Sequence, residues 1–384
     1  MKAVIAIDSY KGSLTTFEAG RAAAEGIKAV YKDAEAVICP LADGGEGTVA
    51  AITSSTGGRL CSVKVCGPLG NVVDAEYGVI DQTRTAIIEM SAAAGITLIK
   101  AEERDPLKTT TYGVGELIAH AIKENGCRHF IIGIGGSATN DGGVGMLQAL
   151  GFSFLDADGK EISRGAKGLS ALAEIKCDGA LPALAECEFH IACDVTNPLC
   201  GERGCSAVYG PQKGATPETV QEMDAWLASY AKLSACVTGY DAASTPGAGA
   251  AGGLGFAFVS YLQGKLRSGI ELVIGATGLE ERIKDADVVI TGEGRLDGQT
   301  YMGKAPIGVA KLAKKYGKPV IAFSGCVGEG AGTCNEHGID AFFPILRSVC
   351  TLGEAMDKDN AYRNLKSTVE QAFRLARCFA KQGG

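Results

Sequence analysis

Glycine-rich turns that carry charged or hydroxyl residues recur along this sequence. The longest is Gly133-Ile134-Gly135-Gly136-Ser137-Ala138-Thr139-Asn140-Asp141-Gly142-Gly143. It follows Phe130-Ile131-Ile132, which predicts a buried strand, and precedes Val144 to Leu150, which predicts a helix. A strand that opens into a helix through glycines offers bare backbone N–H groups at the helix's positive end, a common way to hold phosphate. The same glycines also suit a tight β–α turn in which they only supply unusual backbone angles.

Five further clusters could do chemistry. Asp8-Ser9-Tyr10-Lys11-Gly12-Ser13 closes an apolar segment, so Lys11 can neutralise a phosphate or a substrate carboxylate; the alternative is a solvated loop with a helix-capping serine. Asp43 and Glu46 flank Gly44-Gly45 at a predicted helix start, where they suit Mg²⁺, substrate hydroxyls or a capping box. Asp194 follows the apolar run Phe189 to Cys193, the place for a general base, a metal ligand or an Asx-turn before Pro198. Lys213 lies in the glycine-bounded loop Gly210 to Ala215. In Gly292-Glu293-Gly294-Arg295-Leu296-Asp297, Arg295 can clamp a carboxylate bidentately or form a surface pair with Asp297.

Three near-matches to nucleotide motifs fail on context. Gly133-x-Gly135-x-x-Ala138 lies mid-chain without the acid a dinucleotide site needs. Gly247-x-Gly249-x-x-Gly252 follows Ser244-Thr245-Pro246 rather than a strand. Gly298-x-x-x-x-Gly303-Lys304 has Ala305 where a phosphate loop needs a hydroxyl. A standard Rossmann NAD site and a standard Walker loop are therefore excluded.

The elements that must position these residues alternate at both ends of the chain. Strands are predicted at Ala3 to Ile7, Ala36 to Cys39, Ala286 to Thr291, Pro319 to Ser324 and Ala341 to Pro344. Helices are predicted at Thr15 to Tyr31, Glu46 to Ser54, Ala305 to Tyr316 and Asn360 to Ala380. The middle is richer in strands: Arg59 to Cys66, Val72 to Ile80 and Thr85 to Met90, with an antiparallel texture. This predicts an α/β protein with a discontinuous Rossmann-like parallel-sheet domain, residues 1–66 and 284–384. A second α/β domain of mixed sheet, residues 67–283, is inserted into it, and the active site is expected in the cleft between the two.

Composition agrees with an enzyme of this kind. The 384 residues are 46% hydrophobic, ample for packed cores, and the 54 glycines are about twice the usual share. A net charge of −7 without a basic cluster argues against nucleic acid. No stretch approaches the roughly 20 apolar residues of a membrane helix. The fourteen cysteines lack metal-binding spacing, and Cys39, Cys127, Cys187 and Cys193 sit in or beside apolar runs as small core residues. With no cleavable signal after Met1, a reduced, soluble, cytoplasmic protein is expected.

Taken together, the blocks resemble the bacterial glycerate kinase family of the first type. The likeness runs over essentially the whole chain: Asp8 to Leu14, Pro40 to Thr48, Gly133 to Gly143, Asp194 to Gly201, Gly210 to Ala215, Gly247 to Gly255 and Thr291 to Gly303. Tyr10 stands where an aromatic, often phenylalanine, is usual. The resemblance implies a two-domain α/β kinase that uses ATP and Mg²⁺ to phosphorylate D-glycerate, with 2-phosphoglycerate and ADP as products. It implies no nucleic-acid or membrane partner and leaves a homo-oligomer open. On residue chemistry, Gly135, Gly136, Ser137, Thr139 and Asn140 are assigned to the ATP phosphates, with Lys213 neutralising charge. Asp194 is the first choice for the base and Asp43 the second. Asp43, Glu46 and Asp141 are candidates for Mg²⁺. Lys11, Ser13 and Arg295 are candidates for glycerate, Lys11 also for catalysis. The competing readings are an NAD-dependent 2-hydroxy-acid oxidoreductase and a non-catalytic two-lobed binding protein; an assay of ADP release from ATP and glycerate separates all three.

Overall fold

The structure, a computed structural model, describes residues 1–380. Among these residues the strands are β1 (Lys2–Ile7), β2 (Glu35–Ile38), β3 (Arg59–Cys66), β4 (Val72–Ile80), β5 (Thr85–Glu89), β6 (His129–Gly133) and β7 (Ser153–Leu155). They continue with β8 (Glu174–Lys176), β9 (Glu188–Ala192), β10 (Lys265–Arg267), β11 (Val288–Leu296), β12 (Val320–Val327) and β13 (Ala341–Pro344). The chain forms two compact units. One is Met1–Asp43, Ala50–Thr56 and the chain from Ile270 onward; the other is Gly44–Val49 with Gly57–Gly269.

The first unit is built on a parallel sheet in the order β13-β12-β11-β1-β2. Ala3 pairs with Ala36 on one side and with Val288 on the other, so distant parts of the chain complete one sheet. Counted along this unit alone, the order is 2-1-3-4-5, and it reverses between β1 and β11. Doubly wound sheets of this order form a crevice outside the carboxyl ends of the strands at that switch point. The Ala3–Ile7 stretch of β1 is apolar without alternation because helices cover both faces of such a sheet.

The helix Thr16–Lys28 starts with a complete capping box, Thr15 and Glu18. Its buried Ala19, Ala22, Ala23 and Ile27 share a core with Ala361, Leu365, Val369 and Phe373 of the closing helix Lys358–Ala380. The two helices approach so closely at Gly26 that an added Cβ would lie 2.5 Å from the Lys366 carbonyl oxygen.

The second unit holds a six-stranded sheet, β10-β9-β6-β5-β4-β3, and a small antiparallel pair, β7 and β8. The neighbours β10, β9, β6 and β5 run parallel, whereas β4 and β3 are antiparallel. Phe130 and Phe189 stack at 4.8 Å in its core. The expected boundaries differ at three points. β3 pairs with β4 along its full length, Arg59↔Val79 to Cys66↔Val72, so it belongs with the second sheet and not with the first unit. The residues from Ile270 belong to the first unit, and Gly44–Val49 to the second. A hairpin partner decides where a strand goes, and no change of composition marks these points.

All fourteen cysteines are free. No helix among the described residues is long and apolar enough to cross a membrane.

Replacing Gly26 with leucine should push the two outer helices of the first unit apart. We expect a loss of about 1–3 kcal/mol, the usual cost of overpacking, read as a lower urea midpoint with an unchanged slope. A variant as stable as the parent would show that the helix contact at Gly26 is dispensable.

Candidate active site

The first unit contains a cavity of ≈ 410 Å³ at the carboxyl ends of β1, β11 and β12, the crevice its strand order predicts. The structure brings Lys11, Ser13, Asp43 and Arg295 to its wall, all of them expected site residues. The loop that carries Lys11 and Ser13 is closed by two bonds between Tyr10 and Leu14: Tyr10 N–H to the Leu14 carbonyl at 2.8 Å, and Leu14 N–H to the Tyr10 carbonyl at 3.1 Å. It is anchored by Tyr10, whose hydroxyl donates to the Phe323 carbonyl at 2.9 Å. Ser13 Oγ is enclosed and has no hydrogen-bond partner among the described residues. Lys11 Nζ stands 3.9 Å from Asp43 Oδ2, and Arg295 Nε 3.1 Å from Asp297 Oδ2.

Three residues absent from the sequence-based assignment also line this cavity: Asp8, Glu293 and Lys304. Asp8 ends β1 and is buried. Burial first, and then the negative charge of Asp43, pushes its carboxyl up to about 7, against the Ser9 N–H that donates to it at 2.7 Å. Burial likewise raises the Glu293 carboxyl, and Lys304, 3.9 Å away, opposes the rise. An aspartate that closes an apolar strand is visible in sequence. Lys304 sits in the rejected phosphate-loop pattern, which here leads into the helix Ala305–Lys315.

The second unit carries the other group. Lys213 is buried, and its ammonium donates to Ser137 Oγ at 2.8 Å and to the Thr139 carbonyl at 2.6 Å. Burial pushes it down to about 8. Above it Gly135 and Gly136 are exposed, Gly136 at φ +74°, and no hydrogen bond among the described residues uses the N–H groups of Gly135, Gly136 or Ser137. The expected helix is short, Val144–Ala149, and its first N–H groups are not open to a ligand. Gly143 and Gly145 donate to Asp141, and Met146 donates to Thr111 Oγ1.

Asp141 holds this end of the turn together. Its buried carboxylate also accepts from Thr110 Oγ1 and from both the N–H and hydroxyl of Thr111. Four of these five donors fall on Oδ2, and Oδ1 takes only the Gly143 N–H at 3.1 Å, so the carboxylate is committed chiefly to holding the turn. Thr139 and Asn140 also turn inward: both are buried, and Asn140 Nδ2 donates to Ser206 Oγ at 2.8 Å. The glycines at 247–255 pack behind the turn. A Cβ at Gly252 would lie 2.0 Å from the Thr139 carbonyl oxygen, and Gly142 of the same turn donates its N–H to the Gly252 carbonyl at 2.9 Å.

Two expected acids lie on the second unit's loops. Glu46 is exposed, and the helix after it begins at Thr48 rather than at Glu46. Glu89, at the end of β5, takes the Val49 N–H at 2.8 Å, a capping role the sequence had placed on Asp43 and Glu46. Asp194 lies two residues beyond β9, is exposed, and accepts from the Gly269 N–H at 3.1 Å.

One unit thus carries a charged cavity at the switch point of its parallel sheet, and the other a glycine turn over a buried lysine. Comparison with known proteins gives the family. The Glycerate kinase family model matches residues 3–377. Glycerate 2-kinase of Escherichia coli K12 is 49% identical over 381 residues, which covers 98% of this chain and 100% of that protein. Glycerate kinase of Bacillus subtilis 168 is 47% identical over 362 residues, 94% of each chain. A crystal structure assigned to glycerate kinase 2 of Salmonella typhimurium LT2 superposes with a TM-score of 0.90 at 48% identity, covering 99% of both chains. The chain belongs to the glycerate kinase family and is a kinase. The oxidoreductase and binding-protein readings fall away.

The Asp8 carboxyl has a higher proton affinity folded than unfolded, so the folded state loses relative stability as pH rises from about 4 to about 7. Asp8→Asn removes the buried charge. The variant should match the parent near pH 4, gain on it through this range, and stay about 2–4 kcal/mol more stable at pH 8. Urea denaturation at several pH values checks this; an advantage independent of pH would show that the Asp8 charge is not strained.

Proposed function

We propose that this kinase transfers the γ-phosphoryl group of ATP, with Mg²⁺, to the C2 hydroxyl of D-glycerate, giving 2-phosphoglycerate and ADP. The observation that carries the reading is the Lys213 ammonium bonded to Ser137 beneath exposed glycines with unused N–H groups. That combination offers phosphate oxygens both donors and positive charge. The name of the E. coli relative, glycerate 2-kinase, favours the C2 product.

In this reading the nucleotide phosphates meet Gly135, Gly136 and Ser137. Thr139, Asn140 and Lys213 act from beneath by fixing the turn. Glycerate occupies the cavity of the first unit. Lys11 and Arg295 face its carboxylate there, and the unpartnered Ser13 hydroxyl is available to its oxygens. Phosphoryl transfer depends on positioning and on neutralising charge more than on covalent chemistry. Asp194 aligns the acceptor hydroxyl and takes its proton late in transfer, with Asp43 the second choice. No group of three carboxylate, histidine or cysteine side chains among the described residues could hold a metal alone. Mg²⁺ usually takes one or two carboxylates and completes its shell with substrate phosphates and water. Asp43 and Glu46 are the carboxylates proposed for it. When bound, Mg²⁺ neutralises charge on the β- and γ-phosphoryl oxygens.

Phosphorus NMR of the product tests the regiochemistry. A phosphate on C2 couples to one proton and gives a doublet, whereas one on C3 couples to two and gives a triplet. A triplet, or no ADP release from ATP and D-glycerate, would reject the assignment.

Asp194→Asn keeps the shape and removes the basicity. It should lower turnover by roughly a hundredfold or more, the usual scale for lost acid–base help, with a much smaller change in ATP affinity. Partial rescue by raised Mg²⁺ would instead assign Asp194 to the metal. Normal turnover would move the base to Asp43.

A further inference from the structure

We propose that Arg104 is a second cation of the phosphate cradle, a guanidinium that grips nucleotide phosphoryl oxygens beside Ser137. The inference rests on the reading that the turn after β6 holds the nucleotide.

The segment from Arg104 to Thr111 is fastened along the glycine-rich turn. Thr109 Oγ1 donates to the Ala138 carbonyl at 2.9 Å, and Thr111 binds Asp141 through its N–H and its hydroxyl. Between these anchors and Arg104 the chain folds back on itself. The Asp105 carbonyl accepts from the N–H groups of Lys108 and Thr109, and Asp105 Oδ1 accepts from Leu107 N–H at 3.0 Å. Arg104 is held from the other side by Gly214, where φ is +99° and a Cβ would lie 2.2 Å from the Arg104 carbonyl oxygen and 3.3 Å from its Cβ. Gly214 directly follows Lys213, whose ammonium reaches Ser137. The Thr109 bond to Ala138 and the close approach of Gly214 thus place the Arg104 backbone beside the loop that carries Lys213.

Its side chain has no structural partner. Arg104 is partly buried, and it is the one arginine among the described residues with an enclosed Nε that meets no acceptor. It also forms no ion pair there, whereas Arg59 binds Asp81, Arg128 binds Glu186, and Arg164 lies over the Tyr112 ring at 3.4 Å. A guanidinium stays charged at any working pH, and an enclosed donor without an acceptor is costly. A phosphate supplies the missing acceptors, and its oxygens match the planar fork of arginine better than the point charge of lysine.

The test compares Arg104→Ala and Arg104→Lys with the parent in steady-state kinetics, with calorimetric titration of ADP and with thermal melting. Arg104→Ala should weaken ADP binding and raise KM for ATP by about ten- to a hundredfold, the range for charge-assisted hydrogen bonds. Arg104→Lys should fall between the two, with KM for glycerate and the melting temperature little changed in both. If the alanine variant fails to fold, the lysine variant carries the test. Normal nucleotide affinity in a folded variant, or a loss confined to glycerate, overturns the role of Arg104. Gly136→Val serves as the control for the underlying reading. If it weakens ADP while both Arg104 variants bind normally, Arg104 alone is wrong. If a folded Gly136→Val also binds ADP normally, the turn is not the nucleotide site and both proposals fall.

Discussion

The buried carboxylate of Asp141 accepts hydrogen bonds from Thr111, Gly143 and Gly145, and the glycine-rich turn after β6 depends on it. Glycine loses more backbone freedom on folding than any other residue, so a run this rich in it has little intrinsic shape. Asp141 fixes the end of the run and caps the following helix, while Lys213 fixes the middle through Ser137 and the Thr139 carbonyl. Burying two full charges is expensive, and both groups show the strain: burial raises the Asp141 carboxyl and lowers the Lys213 ammonium. Hydrogen bonds offset part of that cost: Thr110 and Thr111 donate to Asp141, and Ser137 and the Thr139 carbonyl accept from Lys213. Rigidity in the turn follows, and a rigid set of donors is what phosphate recognition requires.

The parts of this design that depend on local pattern could be read from sequence. Ala3 to Ile7 is an uninterrupted apolar run, Thr15 and Glu18 have capping-box spacing, and both appear as expected. Lys213 was paired with the glycine turn from residue type alone, and the two do meet. What could not be read is the direction in which a polar side chain points. Thr139 and Asn140 look like phosphate ligands in a list of residues, yet they are buried, and Asn140 bonds Ser206, sixty-six residues away. The glycines at 247–255 imitate a dinucleotide fingerprint, although their reason is close packing against Thr139 and Gly142. Asp8 and Glu293 matter because each is buried beside other charges, and burial is a tertiary property.

Strand order explains why the second set of charges collects where it does. With β1 flanked by β2 and β11, the loops that leave β1 and β11 turn to opposite sides and open a crevice. Asp8 and Lys11 come from the first of these, and Glu293 and Arg295 from the second, so charges from opposite ends of the chain share one wall. Three carboxylates so placed would repel a negatively charged acid unless cations outweigh them locally. Both lysine ion pairs here are loose, Lys11 to Asp43 and Lys304 to Glu293 at 3.9 Å, against 3.1 Å for Arg295 to Asp297 and 2.6 Å for the surface pair Lys265 to Glu188. A loosely held ammonium keeps donors in hand for a second acceptor, and a substrate carboxylate can take them without first breaking a tight bond. Asp8 and Glu293 remain costly to ionise there, first because they are buried and then because the negative charge of Asp43 adds to the effect.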